Sequence, residues 1–220
     1  MGARSCLAIL LAVACLVLPA ATLTPLTGLS GHLGGHAHAD HGGPHDPDVI
    51  VVATRTSGTL TMSREAAEEL FGRGQRAGLV RETPEAPGED GAEMTDFELA
   101  ALVAEAFDNA VEEVEEKVER MEDCVRKRGL ASKQRTDTSN HQIIFDTETE
   151  ARYDNGTYYS VYNPFDVRST SNRYEMAVHE NAHHVYHANT GRHSRHHPED
   201  WETIEDNISF NASRFCRGGG

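Results

Sequence analysis

Lysine is scarce in this chain: only Lys117, Lys127 and Lys133 stand among 20 basic residues, against 35 acidic ones. The net charge of −15 disfavours nucleic acid and anionic membranes as partners, because both repel an acidic surface. It fits solubility at high salt, although an arginine-over-lysine bias also arises in a GC-rich genome. Aromatic residues make up 6%, with a single tryptophan, Trp201. Of four cysteines, two (Cys6 and Cys15) lie at the extreme N-terminus. A long apolar run is also missing. Cys6 to Leu18 is the longest, thirteen residues, short of the ~20 needed to cross a bilayer as a stable helix.

That run follows the basic Met1-Gly2-Ala3-Arg4 and ends at Pro19-Ala20-Ala21, which reads as a signal peptide over residues 1–21. Cys15 after Ala14 keeps a lipid-anchored cell-surface form as the alternative, with Ala12 where such an anchor usually has a branched apolar residue. Export agrees with three glycosylation sequons at Asn155, Asn207 and Asn211. Use of Asn207 requires an exposed outer face on its helix. In an oxidising compartment the two remaining cysteines, Cys124 and Cys216, are expected to form one disulfide. Closing so long a loop would stabilise the fold by roughly 4–5 kcal/mol in the chain-entropy account.

Residues 22–47 form a His/Gly-rich leader whose composition cannot build a core, expected as a disordered spacer or a loose metal-capturing tract. Residues 48–81 are expected as a small N-terminal βα module, with a strand at Asp48–Thr54, a returning strand at Thr59–Met62 and a helix capped by Ser63 that Gly72 ends. This module is a candidate pro-segment. An acidic Pro/Gly linker spans 82–93, and the main domain spans 94–216, with a tail at 217–220. The main domain opens on a capping box, Thr95-Asp96-Phe97-Glu98, and its helix runs to Gly129. Leu99, Val103, Phe107, Val111, Val114, Val118, Met121 and Val125 make its buried stripe, and Glu112–Glu119 its solvated face. Strands follow at Gln142–Asp146 and around the Asp154-Asn155-Gly156-Thr157 turn. A helix then covers Ser171–Asn189, stopped by Gly191, and a shorter one runs from Glu199 to about Asn211.

The chemistry concentrates in His179-Glu180-Asn181-Ala182-His183. Positions i and i+4 share one helix face, so both histidines can hold one metal ion, with Glu180 placed as general base. His187 continues the series as an alternative ligand from the same helix. Zinc in hydrolysis takes three protein ligands and an open position. Nineteen residues after His183 comes Glu202-Thr203-Ile204-Glu205-Asp206.

H-E-x-x-H completed by E-x-x-x-D resembles the zincin metallopeptidases, in their gluzincin branch. The metzincin branch is excluded, since Tyr186 and Asn189 stand where it has a glycine and a third histidine. The gluzincin resemblance covers roughly residues 141–210 and implies Glu202 as third zinc ligand, with Asp206 orienting a ligating histidine. Glu205, one turn on, competes as the glutamate ligand. The expected fold is therefore α+β: a small zincin-like domain with a long amphipathic helix, a β-hairpin and an active-site helix followed by a second short helix. The expected activity is exported, zinc-dependent hydrolysis of peptide bonds by a monomer without a membrane span. His193, His196 or Tyr159 would stabilise the oxyanion. The alternatives are a non-catalytic secreted His-rich metal-binding protein and a disulfide-tied helical interaction module.

Overall fold

The computed structural model describes residues 49–80, 94–194 and 197–218. The expected signal peptide, leader and acidic linker lie outside them, as does His196. The architecture is α+β, with five helices and two small sheets among the described residues. No helix there is long and apolar enough to cross a membrane.

Helix α2 (Asp96–Arg128) is the keel of the molecule. Its capping box forms as the sequence implies: Glu98 N donates to Thr95 Oγ1, and Thr95 N donates to Glu98 Oε2. All eight stripe residues from Leu99 to Val125 are buried. Full burial of a side chain of this kind contributes about 1.5–3 kcal/mol. The helix ends at Gly129, but not through a left-handed turn, since φ there is −84°. Glycine is needed for close approach: a Cβ would sit 2.8 Å from Ile208 Cγ2.

Strands β1 (Val49–Thr54) and β2 (Gly58–Ser63) form an antiparallel hairpin that leads into α1 (Arg64–Arg76). Ser63 caps α1 as expected, but the helix does not stop at Gly72. It continues because Gly74 lets it pack onto α2, where a Cβ would come 2.5 Å from that of Ala106. Residues 49–80, expected as a module of their own, share one core with α2: Ile50, Val52, Leu60, Ala67 and Leu70 pack with Val103, Phe107 and Val111. Buried Asp108 secures the hairpin turn, accepting from Arg55 N (3.1 Å) and Thr56 Oγ1 (3.0 Å).

After the short helix α3 (Ser132–Asp137), β3 (His141–Phe145), β4 (Glu150–Asp154) and β5 (Thr157–Tyr162) make a sheet in the order β3-β5-β4. The β4–β5 hairpin turns at Asn155 and Gly156, both with positive φ (48° and 83°), as an Asn-Gly hairpin turn requires. β5 is central and pairs parallel with β3. Helix α4 (Thr170–Thr190) ends at Gly191 in the left-handed region (φ 68°). Helix α5 (Glu199–Cys216) runs one turn beyond the expected end at Asn211. The extra turn is held by burial of Ala212 and by a disulfide joining Cys216 to Cys124 on α2, with Cα atoms 5.8 Å apart. Asn155, Asn207 and Asn211 are all exposed.

Removing the bridge by Cys216→Ser should lower unfolding free energy by about 2–4 kcal/mol, measured as a reduced urea midpoint. An unchanged midpoint would mean that the α2–α5 corner is held by packing alone.

Candidate metal centre

Helix α4 lies between α2, α5 and the small sheet, and each face carries different chemistry. Buried Glu122 of α2 accepts hydrogen bonds from Tyr162 Oη of β5 and from Asn181 Nδ2 of α4 (2.5 Å). These bonds pin the rotation of α4. On the sheet side, His184 is 2% exposed and its Nε2 lies 3.1 Å from Ser160 Oγ, which in turn lies 2.9 Å from His141 Nε2. Burial first, then neighbouring cations beginning with His141, hold the His184 pKa well below the ordinary histidine range. That histidine serves the α4–sheet contact.

His179 and His183 meet α5. Their Nε2 atoms are 3.2 Å apart, and His197, from the loop before α5, completes a group whose ligand atoms all lie within 4.8 Å of one another. This group can hold a metal ion. Two nitrogens bound to one tetrahedral zinc at ~2.0–2.1 Å stand roughly 3.4 Å apart, so the His179–His183 pair already has ligand spacing. His197 needs to approach by about 1 Å or so to complete such a site. Its backbone lies in the left-handed region (φ 39°), an uncommon conformation for a non-glycine residue that persists where surroundings impose it. The Trp201 ring stacks on His197 at 4.0 Å and packs against His179 and His183 at 5.0 and 4.9 Å. One indole therefore backs all three imidazoles.

Glu205 Oε1 lies 3.1 Å from His179 Nδ1, which leaves His179 Nε2 turned to the group. A carboxylate on the far nitrogen fixes the tautomer and makes the ring a better ligand. Glu202 and Asp206, expected as ligand and orienting residue, are exposed on α5 and stand outside the convergent group. The reason is rotational. Trp201 takes the inward position of the first turn, and Glu205 and Ile208 follow it at helical spacing, so Glu202 falls about 100° round the helix. His187 is also outside the group; its ring stacks on Tyr153 of β4 at 4.0 Å and lies 4.8 Å from that of His193.

Glu180 is 3% exposed, and its Oε2 has no hydrogen-bond partner. Burial first, then Glu122, Glu150 and Glu205, push its pKa up to about 8. A neighbouring divalent cation acts in the opposite sense. Burial, then His179, His197 and His193, push the His183 pKa down to about 4, so its ring stays neutral and its lone pair remains available. Convergent imidazole nitrogens suit a borderline-soft divalent cation. Sequence reasoning missed His197, Trp201 and Glu122. The only signal for His197 was its place in the histidine-rich loop between the two motif halves.

No protein-family model, curated protein or solved structure matches the chain. Function must therefore be argued from the site's own chemistry.

His197→Ala should weaken zinc binding far more than Glu202→Ala, which should leave it unchanged. Glu205→Ala should cost about 10–100-fold in affinity through loss of the carboxylate on His179. Competition titration against a chromogenic chelator reads all three. A large loss in Glu202→Ala with none in His197→Ala would restore the glutamate-ligand arrangement.

Proposed function

We propose that the protein is an exported zinc-dependent metallopeptidase in which His179, His183 and His197 hold the ion and Glu180 is the general base. The observation that supports this most is the convergence of three imidazoles beside a helix that also carries buried Glu180, whose Oε2 has no partner. Zinc, when bound, supplies Lewis acidity that polarises a carbonyl and acidifies a water molecule. Glu180 Oε2 would accept a proton from a water activated there and pass it to the departing amine. Trp201 walls the site from solvent on the α5 side, and Glu205 keeps His179 in its ligating tautomer. β4 is an edge strand, and its Tyr153 stacks on His187 of α4. This edge offers unpaired backbone groups to an extended peptide. Of the candidate oxyanion donors, His193 packs beside His187. His196 lies outside the described residues, and Tyr159 is half-buried on β5.

A non-catalytic histidine-rich metal binder is the competing reading, and Glu180 separates the two. With the zinc-loaded protein and a quenched-fluorescent peptide library, Glu180→Gln should reduce cleavage by about 10²–10⁴-fold while one zinc per chain is retained. Equal turnover in the variant, or no turnover in the wild type, would overturn the peptidase reading.

A further inference from the structure

The first turn of α4 opens on a cavity of about 400 Å³ whose walls include Lys117, Arg120, Arg173, Thr170 and the Cys124–Cys216 disulfide, and none of the three imidazoles. In a chain of net charge −15, this cavity gathers three cationic side chains and a single carboxylate, Asp123. That carboxylate is already paired with Lys127 at 2.6 Å. The other nearby acids are shared among the cations: Glu113 lies 2.8 Å from Arg168 and 3.9 Å from Lys117, and Glu116 lies 3.0 Å from Arg120.

Arg173 is the distinctive member. It is only 8% exposed, and three of its hydrogen bonds are fixed by the turn before α4. Its Nη1 donates to Val167 O (2.7 Å) and Arg168 O (2.6 Å), and its Nη2 donates to Thr170 Oγ1 (3.0 Å). The Nε–H has no acceptor. A buried guanidinium donor without a partner is costly unless an anion supplies one. Burial first, then the adjacent Arg120, act against its charge, and Glu113 acts in its favour. The positive pole of a 21-residue helix points here, and its first turn carries no acidic residue.

We propose that this cavity binds a sulfate or phosphate group, held by Arg173, Arg120, Lys117 and the N-terminus of α4. A tetrahedral oxyanion offers several acceptors at once, which suits a guanidinium fork and a helix end together. The binding energy would fall on the corner where α2, α4 and α5 meet at the disulfide. The site is independent of the metal centre, so it stands or falls separately from the peptidase reading.

The test is thermal unfolding of the full, disulfide-intact chain titrated with inorganic phosphate or inorganic sulfate. Ionic strength is held constant with sodium chloride to remove screening effects. The expected result is a saturable rise in Tm that chloride does not reproduce. Lys117→Ala/Arg120→Ala should raise the half-saturating concentration at least tenfold. The same titration on His183→Ala should be unchanged, which also removes competition between phosphate and zinc. Phosphoserine and a sulfated disaccharide, titrated in parallel, identify the source: tighter binding than the inorganic ions marks an esterified group, and equal or weaker binding a free anion. A non-saturating rise, a rise matched by chloride, or wild-type behaviour in the double variant would overturn the proposal. Should that variant fail to fold, the comparison of phosphate with chloride on the wild type still decides.

Discussion

Most of the described elements pack against one amphipathic helix. The apolar stripe of α2 meets the hairpin and α1 near Leu99–Val111, β5 and the turn before α4 near Val114 and Val118, and α4 and α5 near Met121 and Val125. Three cores thus share one wall. Burial along that wall is the main stabilising term, and it is non-directional. It does not by itself decide how each neighbour is rotated or in what register it sits.

The polar groups set within the stripe supply that direction. Asp108 receives the hairpin turn through Arg55 and Thr56, and Glu122 receives Tyr162 and Asn181. A buried carboxylate is costly unless its acceptor positions are filled, so each fixes its partners' geometry. The second case governs the candidate site. Holding Asn181 against α2 sends His184 to Ser160 on the sheet, His179 and His183 to Trp201 on α5, and His187 to Tyr153 on β4. Four histidines within nine residues acquire three different environments from one rotational constraint.

Local signals were legible where the physics is local. The capping box, the period of α2, Gly191 and the Asn155-Gly156 turn each act over a few residues, and each appears where the sequence places it. The Cys124–Cys216 bridge was legible by elimination, because only two cysteines follow the N-terminal stretch. Contacts between distant segments were not. Gly72 looks like a helix stop until Gly74, two residues on, is known to lie against Ala106 of α2. The parallel pairing of β3 with β5 leaves no mark in either strand's alternation. In α5, Glu202, Glu205 and Asp206 are alike as residue types, and only the inward seat of Trp201 separates them. His197 arrives through a left-handed backbone step before Pro198, which no periodicity encodes.

The difference between a histidine and a glutamate as third ligand is electrostatic as well as geometric. Three neutral imidazoles leave a divalent cation its full double charge, whereas a carboxylate ligand cancels half of it. An ion held there would be balanced by Glu205 behind His179, by buried Glu180, and by Glu122 beyond Asn181. Without a cation these carboxylates oppose one another, as the raised pKa of Glu180 shows, with Glu122 and Glu205 among its causes. With a cation among them the same groups become mutually compatible. A chain with few cationic side chains to spend on a buried acidic cluster can satisfy it with a metal ion, and the three imidazoles on Trp201 provide the place for one.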